Sequence, residues 1–117
     1  MSKEQAALQR LRAVCLALPE ANEVETWGHP TFRAGKRAFA VLEPYDGMPS
    51  LAVRVGLARQ EELLADSRFF ETPYCGHRGW VSLQLCPDTD WHQVNDLLLE
   101  GYRSVAVNRM LRALEGQ

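Results

Sequence analysis

The chain is poor in the residues that would staple or anchor it. Its three cysteines, Cys15, Cys75 and Cys86, are odd in number and form no closely spaced pair, so no disulfide framework is written into it. That usage fits a reducing compartment, and the expected location is the cytoplasm. The longest apolar runs, such as Phe39 to Leu42, fall far short of the ~20 residues of a membrane span. Met1-Ser2-Lys3-Glu4-Gln5 lacks the basic-then-apolar order of a secretory leader, so no membrane partner is expected. There is no P-loop, no G-x-S-x-G and no G-x-G-x-x-G. The net charge of −2 lacks the basic excess of a protein that coats nucleic acid. Lysine is scarce, two against eleven arginines. Arginine suits bidentate phosphate contacts, but a compositional bias gives the same ratio.

What remains is ordinary globular composition. Apolar residues make up 46% and charged residues 24%, enough of the first for a core and too little of the second for long disorder. A length of 117 residues implies one domain spanning 1–117. The charge is uneven along it. Residues 30–59 hold Arg33, Lys36, Arg37, Arg54 and Arg59 against Glu43 and Asp46, so an anion-binding role would lie in the middle third.

Ser2-Lys3-Glu4-Gln5 reads as a capping box. Leu8, Leu11, Val14, Cys15 and Leu18 then recur at helical spacing, which predicts an amphipathic helix from Lys3 to Leu18, ended by Pro19. Cys15 lies on its apolar stripe as a small core residue. The period then changes to two. Strands are expected at Val24–Trp27, Thr31–Arg33, Arg37–Glu43, Ser50–Val55 and Trp80–Cys86, with turns at Ala34-Gly35-Lys36 and Tyr45-Asp46-Gly47. Ala58–Asp66 reads as a short helix and residues 68–79 as irregular. Asp90 caps a further helix whose stripe is Val94, Leu97, Leu98, Gly101, Tyr102 and Val105, with a break before a last helix at Arg109–Leu114. The fold class is α+β: an antiparallel meander of about five strands, with N- and C-terminal helices packed on one face.

Alternation assigns the faces. Val81, Leu83 and Leu85 oppose Trp80, Ser82 and Gln84; Leu51, Val53 and Val55 oppose Ala52 and Arg54; Phe39 and Val41 oppose Ala38 and Ala40. The larger aliphatics require helices over them. The other face is then a floor of alanines beside Trp80 and Arg54, either a solvated sheet face or a binding surface.

Two segments stand apart, Trp27-Gly28-His29-Pro30-Thr31-Phe32 and Tyr74-Cys75-Gly76-His77-Arg78-Gly79-Trp80. Each holds a Gly-His step between aromatics, and together they frame one expected site at the sheet edge. Its ligand-binding residues are Trp27, His29, Tyr74, His77 and Trp80. The alternative is that the aromatics plug the core and the glycines make turns. His29, Cys75, His77 and His92 are metal-donor types, but they lack the paired spacing of a zinc site, and no third group completes a Cys75–His77 nucleophile. No metal, cofactor or catalytic residue is therefore expected.

The order of these features resembles the MmcQ/YjbR family of small bacterial proteins. The resemblance runs through Leu18-Pro19-Glu20, Trp27-Gly28-His29-Pro30-Thr31-Phe32-Arg33 with Gly35-Lys36, Phe69-Phe70 with Pro73-Tyr74, Gly76-His77-Arg78-Gly79-Trp80-Val81, and Tyr102-Arg103-x-Val105-Ala106. Val107-Asn108 departs from it, since such proteins often carry Pro-Lys there. The resemblance implies a CyaY-like (frataxin-like) fold and a non-enzymatic DNA-binding role through two β-hairpin wings. Mapped here, the wings are the hairpins around Ala34–Arg37 and Tyr45–Pro49, with Arg33, Lys36, Arg37, Arg54 and Arg78 as nucleic-acid-binding residues. Such contacts would be modest and salt-sensitive, and the second wing carries Glu43 and Asp46, which repel phosphate. A small-molecule or protein-interaction module, using the Trp27/His29 and His77/Trp80 loops, is the other expectation. The expected oligomeric state is a monomer.

Overall fold

Ser2 opens the first helix as its spacing from Gln5 requires: its hydroxyl accepts from the Gln5 amide while the Gln5 side chain accepts from the Ser2 amide. The structure, a computed structural model, describes residues 2–116. Met1, which begins the stretch read above for a leader, lies outside the described residues. Within them the order is α1 (Lys3–Cys15), β1 (Ala21–Thr26), β2 (His29–Ala34), β3 (Arg37–Tyr45), β4 (Met48–Arg54), α2 (Leu57–Leu64), β5 (Phe69–Glu71), a 3-10 turn (Gly76–Arg78), β6 (Trp80–Gln84), α3 (Trp91–Val105) and α4 (Asn108–Glu115). None of these helices is long and apolar enough to cross a membrane.

The expected meander of about five strands is a six-stranded antiparallel sheet ordered β1-β2-β3-β4-β6-β5. The additional strand, β5, lies in the segment read as irregular. It has three residues, too few to show a period. Its two phenylalanines also serve opposite faces, Phe69 in the core and Phe70 against Tyr45, so no polar residue marks an outer side. The chain reaches β5 through α2 and returns along β6 between β4 and β5, which ends the meander.

One row across the sheet runs Phe32, Ala40, Val53, Val81, and the next runs Leu42, Leu51, Leu83, Phe69. Both face the helices and belong to one buried cluster with Leu11 and Cys15 of α1, Leu63 of α2, Leu98 and Tyr102 of α3, and Met110 of α4. All four helices therefore lie on one side. The Tyr102 hydroxyl donates to the Pro19 carbonyl at 2.7 Å and its ring meets Phe39 edge-on at 5.8 Å. These contacts tie α3 both to the turn after α1 and to the sheet.

The alternation of β3 is where the sequence reading needs correction. The register slips between Phe32 and Arg33, which pair with Ala40 and Ala38, so Phe39 is the additional residue of a β-bulge. Beyond it the faces exchange. Ala40 points to the helices, while Val41 lies in the row Thr31, Val41, Ala52, Ser82 on the opposite face. Ala38 stays on the helix-free side opposite Arg33, as expected.

Helix α3 comes close to this bulge because residue 101 has no side chain. A Cβ there would sit 2.6 Å from Val53 Cγ1 and 3.2 Å from the Phe39 carbonyl oxygen. Gly101→Ala gains about 1 kcal/mol of helix propensity but loses more to overpacking, which costs about 1–3 kcal/mol. Urea denaturation is expected to show a net loss, and Val53→Ala is expected to cost less in the Gly101→Ala background than alone.

Cys15 is fully buried and Cys86 exposed. Burial, helped by the charge of Glu23, pushes the Cys15 thiol up to about 12. A thiol reagent at pH 8 is expected to label Cys86 rapidly in the folded protein and to reach Cys15 only on unfolding.

Candidate functional site

The helix-free face is concave. Its floor is the row Thr31, Val41 and Ala52 with Ala38 beside it, and the cavity above it measures about 870 Å³. Trp27 and His29 stand on one side of the cavity. Thr72, Pro73, Tyr74, Cys75 and Trp80 stand on the other, and Glu43, Pro44 and Tyr45 close one end.

Trp27 is placed by its turn. Thr26 pairs with His29, so Trp27-Gly28 is a two-residue hairpin loop, and both residues have positive φ (54° and 80°). That is the pattern of a type I′ turn, which favours Asn-Gly or Asp-Gly. Asp46-Gly47 makes the same turn at the next hairpin of that end (φ 52° and 79°) with a residue suited to it. An indole at the first position carries the strain of a left-handed residue, and it is 93% exposed. Tyr74 repeats the feature across the cavity, with φ of 66° and 96% exposure. Two large aromatics are thus held in costly backbone conformations with almost none of their surface buried. Such strain persists only where the surrounding structure holds it, and it gathers at ligand clamps and other functional segments.

The surroundings of Tyr74 hold it firmly. Thr72 and Ser82 share a buried hydroxyl–hydroxyl hydrogen bond of 2.8 Å, which pins the wall to the floor. Gln60 of α2 is buried and donates to the carbonyls of Gly76 at 2.7 Å and Trp80 at 2.8 Å. Gly76 is packed against the Glu71 side chain, with no room for a Cβ.

The charge of the cavity is one-sided. The lining contains Glu43 and His29 but no lysine or arginine. His29 Nε2 lies 3.9 Å from Glu43 Oε2, with both side chains about one-third exposed. Tyr45 continues the aromatic rim by stacking on Phe70 at 4.4 Å between centroids.

A family model for YjbR matches residues 16–104. The chain belongs to the YjbR family. No curated protein matches it. Among solved structures, the crystal structure of Deinococcus radiodurans protein DR2400, a DUF419 domain, is similar with a TM-score of 0.75 and 21% identity, covering 92% of this chain and 87% of that one. At that identity the likeness extends to the fold alone.

Of the ligand-binding residues expected for this YjbR-family chain, the structure brings together Trp27, His29, Tyr74 and Trp80. His77 does not join them. It lies exposed on the 3-10 turn beside Arg78, outside the lining. The two residues sit after the wall has turned back toward the sheet. By register the expected cations lie toward one end of the sheet, at the β2–β3 hairpin, the end of β4 and the approach to β6, but two of them are engaged within the protein. The Arg33 guanidinium donates to Asn22 Oδ1 at 2.9 Å. Arg54 reaches the carbonyl and hydroxyl of Ser104 at 3.4 Å, held against the end of α3. Lys36 and Arg37 are exposed at the β2–β3 hairpin. The two hairpins mapped as wings lie at opposite ends of β3, roughly 26 Å apart at about 3.3 Å per residue.

Glu43, Tyr45, Thr31 and Val41 line the cavity without having been singled out as ligand residues. The bulge hides Val41, and Glu43 reads in sequence only as an acid near a turn. The Thr26-Trp-Gly-His29 spacing was the available signal for the strained indole.

Because glycine adopts positive φ without strain, Tyr74→Gly is expected to leave the melting temperature unchanged or raise it, the relieved strain of about 1–3 kcal/mol being offset in part by the greater backbone entropy of an unfolded glycine. A clear loss of stability would mean that the ring serves the fold.

Proposed function

We infer that this protein is a binding module for a small molecule, which it holds on the helix-free sheet face between Trp27 and Tyr74, and that it acts by binding rather than by catalysis. One observation carries the reading: two exposed aromatics, each on a left-handed residue, flank a preformed concavity. The size of the cavity falls in the range of about 300–1,000 Å³ typical of ligand sites. A predominantly apolar lining with a few polar groups, here Thr31, Thr72, His29 and Glu43, is the usual make-up of such a site. The frataxin-like arrangement implied by the resemblance suits this use, since it commits every helix to the other face.

DNA binding through the hairpins is the second reading. It is favoured by Lys36, Arg37 and Arg78, which are exposed and have no carboxylate within 4 Å among the described residues. It is weakened by the opposed wings and by the internal engagement of Arg33 and Arg54.

A thermal-shift screen of neutral, cationic and anionic metabolites, run beside DNA retardation at about 50 mM salt, separates the two. A ligand present at 100 times its Kd adds about 2.7 kcal/mol to the folded state. Stabilisation of several degrees is expected in the wild type and is expected to vanish in Trp27→Ala/Tyr74→Ala. Retardation of DNA that is lost in Lys36→Ala/Arg37→Ala, with no metabolite effect, would reverse the order of the readings.

A further inference from the structure

We propose that the ligand of this concavity bears a positive charge on nitrogen: a substituted or quaternary ammonium attached to a small flat body. The proposal rests on the ligand-site reading and adds the charge and chemical class. The formal charge that the cavity presents is the carboxylate of Glu43. Among the described residues that carboxylate accepts no hydrogen bond from a side chain or amide, and its charged-group neighbour is the His29 imidazole at 3.9 Å, beyond hydrogen-bond range. A carboxylate that is one-third exposed and has no side-chain or amide donor from the protein is open to a cationic partner.

Trp27, Tyr45, Tyr74 and Trp80 line the same cavity, Trp27 and Tyr45 at the end that holds Glu43 and Tyr74 and Trp80 on the wall across it. The faces of these rings carry the negative lobe of the aromatic quadrupole, and a cation within about 6 Å of a ring centroid is attracted to it, most strongly by tryptophan. The floor of Thr31, Ala38, Val41 and Ala52 offers one hydroxyl and no cation. An anionic ligand would meet the carboxylate and the ring faces with nothing to balance it. A neutral flat ligand would gain the stacking but leave Glu43 unmatched. An ammonium whose substituents reach the rings satisfies both, and alkyl groups on nitrogen lower the cost of removing it from water.

The test uses the full chain and three probes built on one phenol ring: (3-hydroxyphenyl)trimethylammonium, its neutral twin of the same shape 3-tert-butylphenol, and the anion 3-hydroxybenzoate. They are titrated by calorimetry, with tryptophan indole resonances followed by NMR. The cation is expected to bind about tenfold or more tighter than its neutral twin, with no binding of the benzoate at about 1 mM. Glu43→Gln is expected to weaken the cation about threefold or more, the rings keeping it ahead of the twin, and to leave the twin unchanged. Equal binding of the twins by the wild type, or a preference for the benzoate, overturns the charge assignment while the site itself stands. This comparison needs no variant, so it holds even if Glu43→Gln folds poorly. Failure of all three probes to bind or to shift the Trp27 and Trp80 indoles overturns the proposal together with the ligand-site reading.

Discussion

The architecture depends on how closely α3 lies against β3 and β4. At Gly101 the helix backbone approaches to where a single methyl group would meet Val53 and the Phe39 carbonyl. That approach brings Tyr102 edge-on to Phe39 and its hydroxyl to Pro19. With α3 seated, α1 and α4 pack beside it and α2 over β5 and β6, and all four helices join one cluster. A sheet whose apolar rows are satisfied on one side has no helix left for the other. The open face therefore follows from the packing of the closed one.

The bulge at Phe39 links the two faces. It sends Phe39 and Ala40 into the helix-side core and turns Val41 toward the cavity floor. Without it Val41 and Ala40 would exchange roles, placing a valine under α3 where an alanine now lies and a methyl group on the floor. Bulges recur where a side chain must be re-aimed near a site, and this one lies directly beneath the concavity.

The walls show the opposite economy. Tyr102, Phe32 and Phe39 bury their rings completely in unstrained strand or helix backbone, whereas Trp27 and Tyr74 are almost wholly exposed on left-handed residues. The supporting contacts, Thr72 to Ser82 and Gln60 to Gly76 and Trp80, hold the Tyr74 wall with satisfied hydrogen bonds. A site preformed in this way loses little conformational entropy when it binds. The expected cations contrast with it: Arg33 and Arg54 are engaged by Asn22 and Ser104, while Lys36, Arg37 and Arg78 stay exposed.

Local chemistry, read along the chain, was enough for the ends and turns of most elements. The Ser2/Gln5 box, the Asp90 cap, the Asp46-Gly47 turn and the α3 stripe act between neighbours in sequence, and the structure keeps each of them. The pairing of the Trp27 and Tyr74/Trp80 segments was legible too, because both carry aromatics next to glycine. Three features were not. The strand β5 and its place outside β6 depend on partners ten to fourteen positions away. The bulge depends on β2 pairing across it and on α3 pressing from above. The exclusion of His77 and the engagement of Arg33 and Arg54 depend on where a wall turns and on which distant side chains, Asn22 and Ser104, are in reach. Period and capping are properties of a segment, so they can be read from it; register, concavity and charge sharing are properties of segments brought together, and the packing of α3 on the sheet sets them.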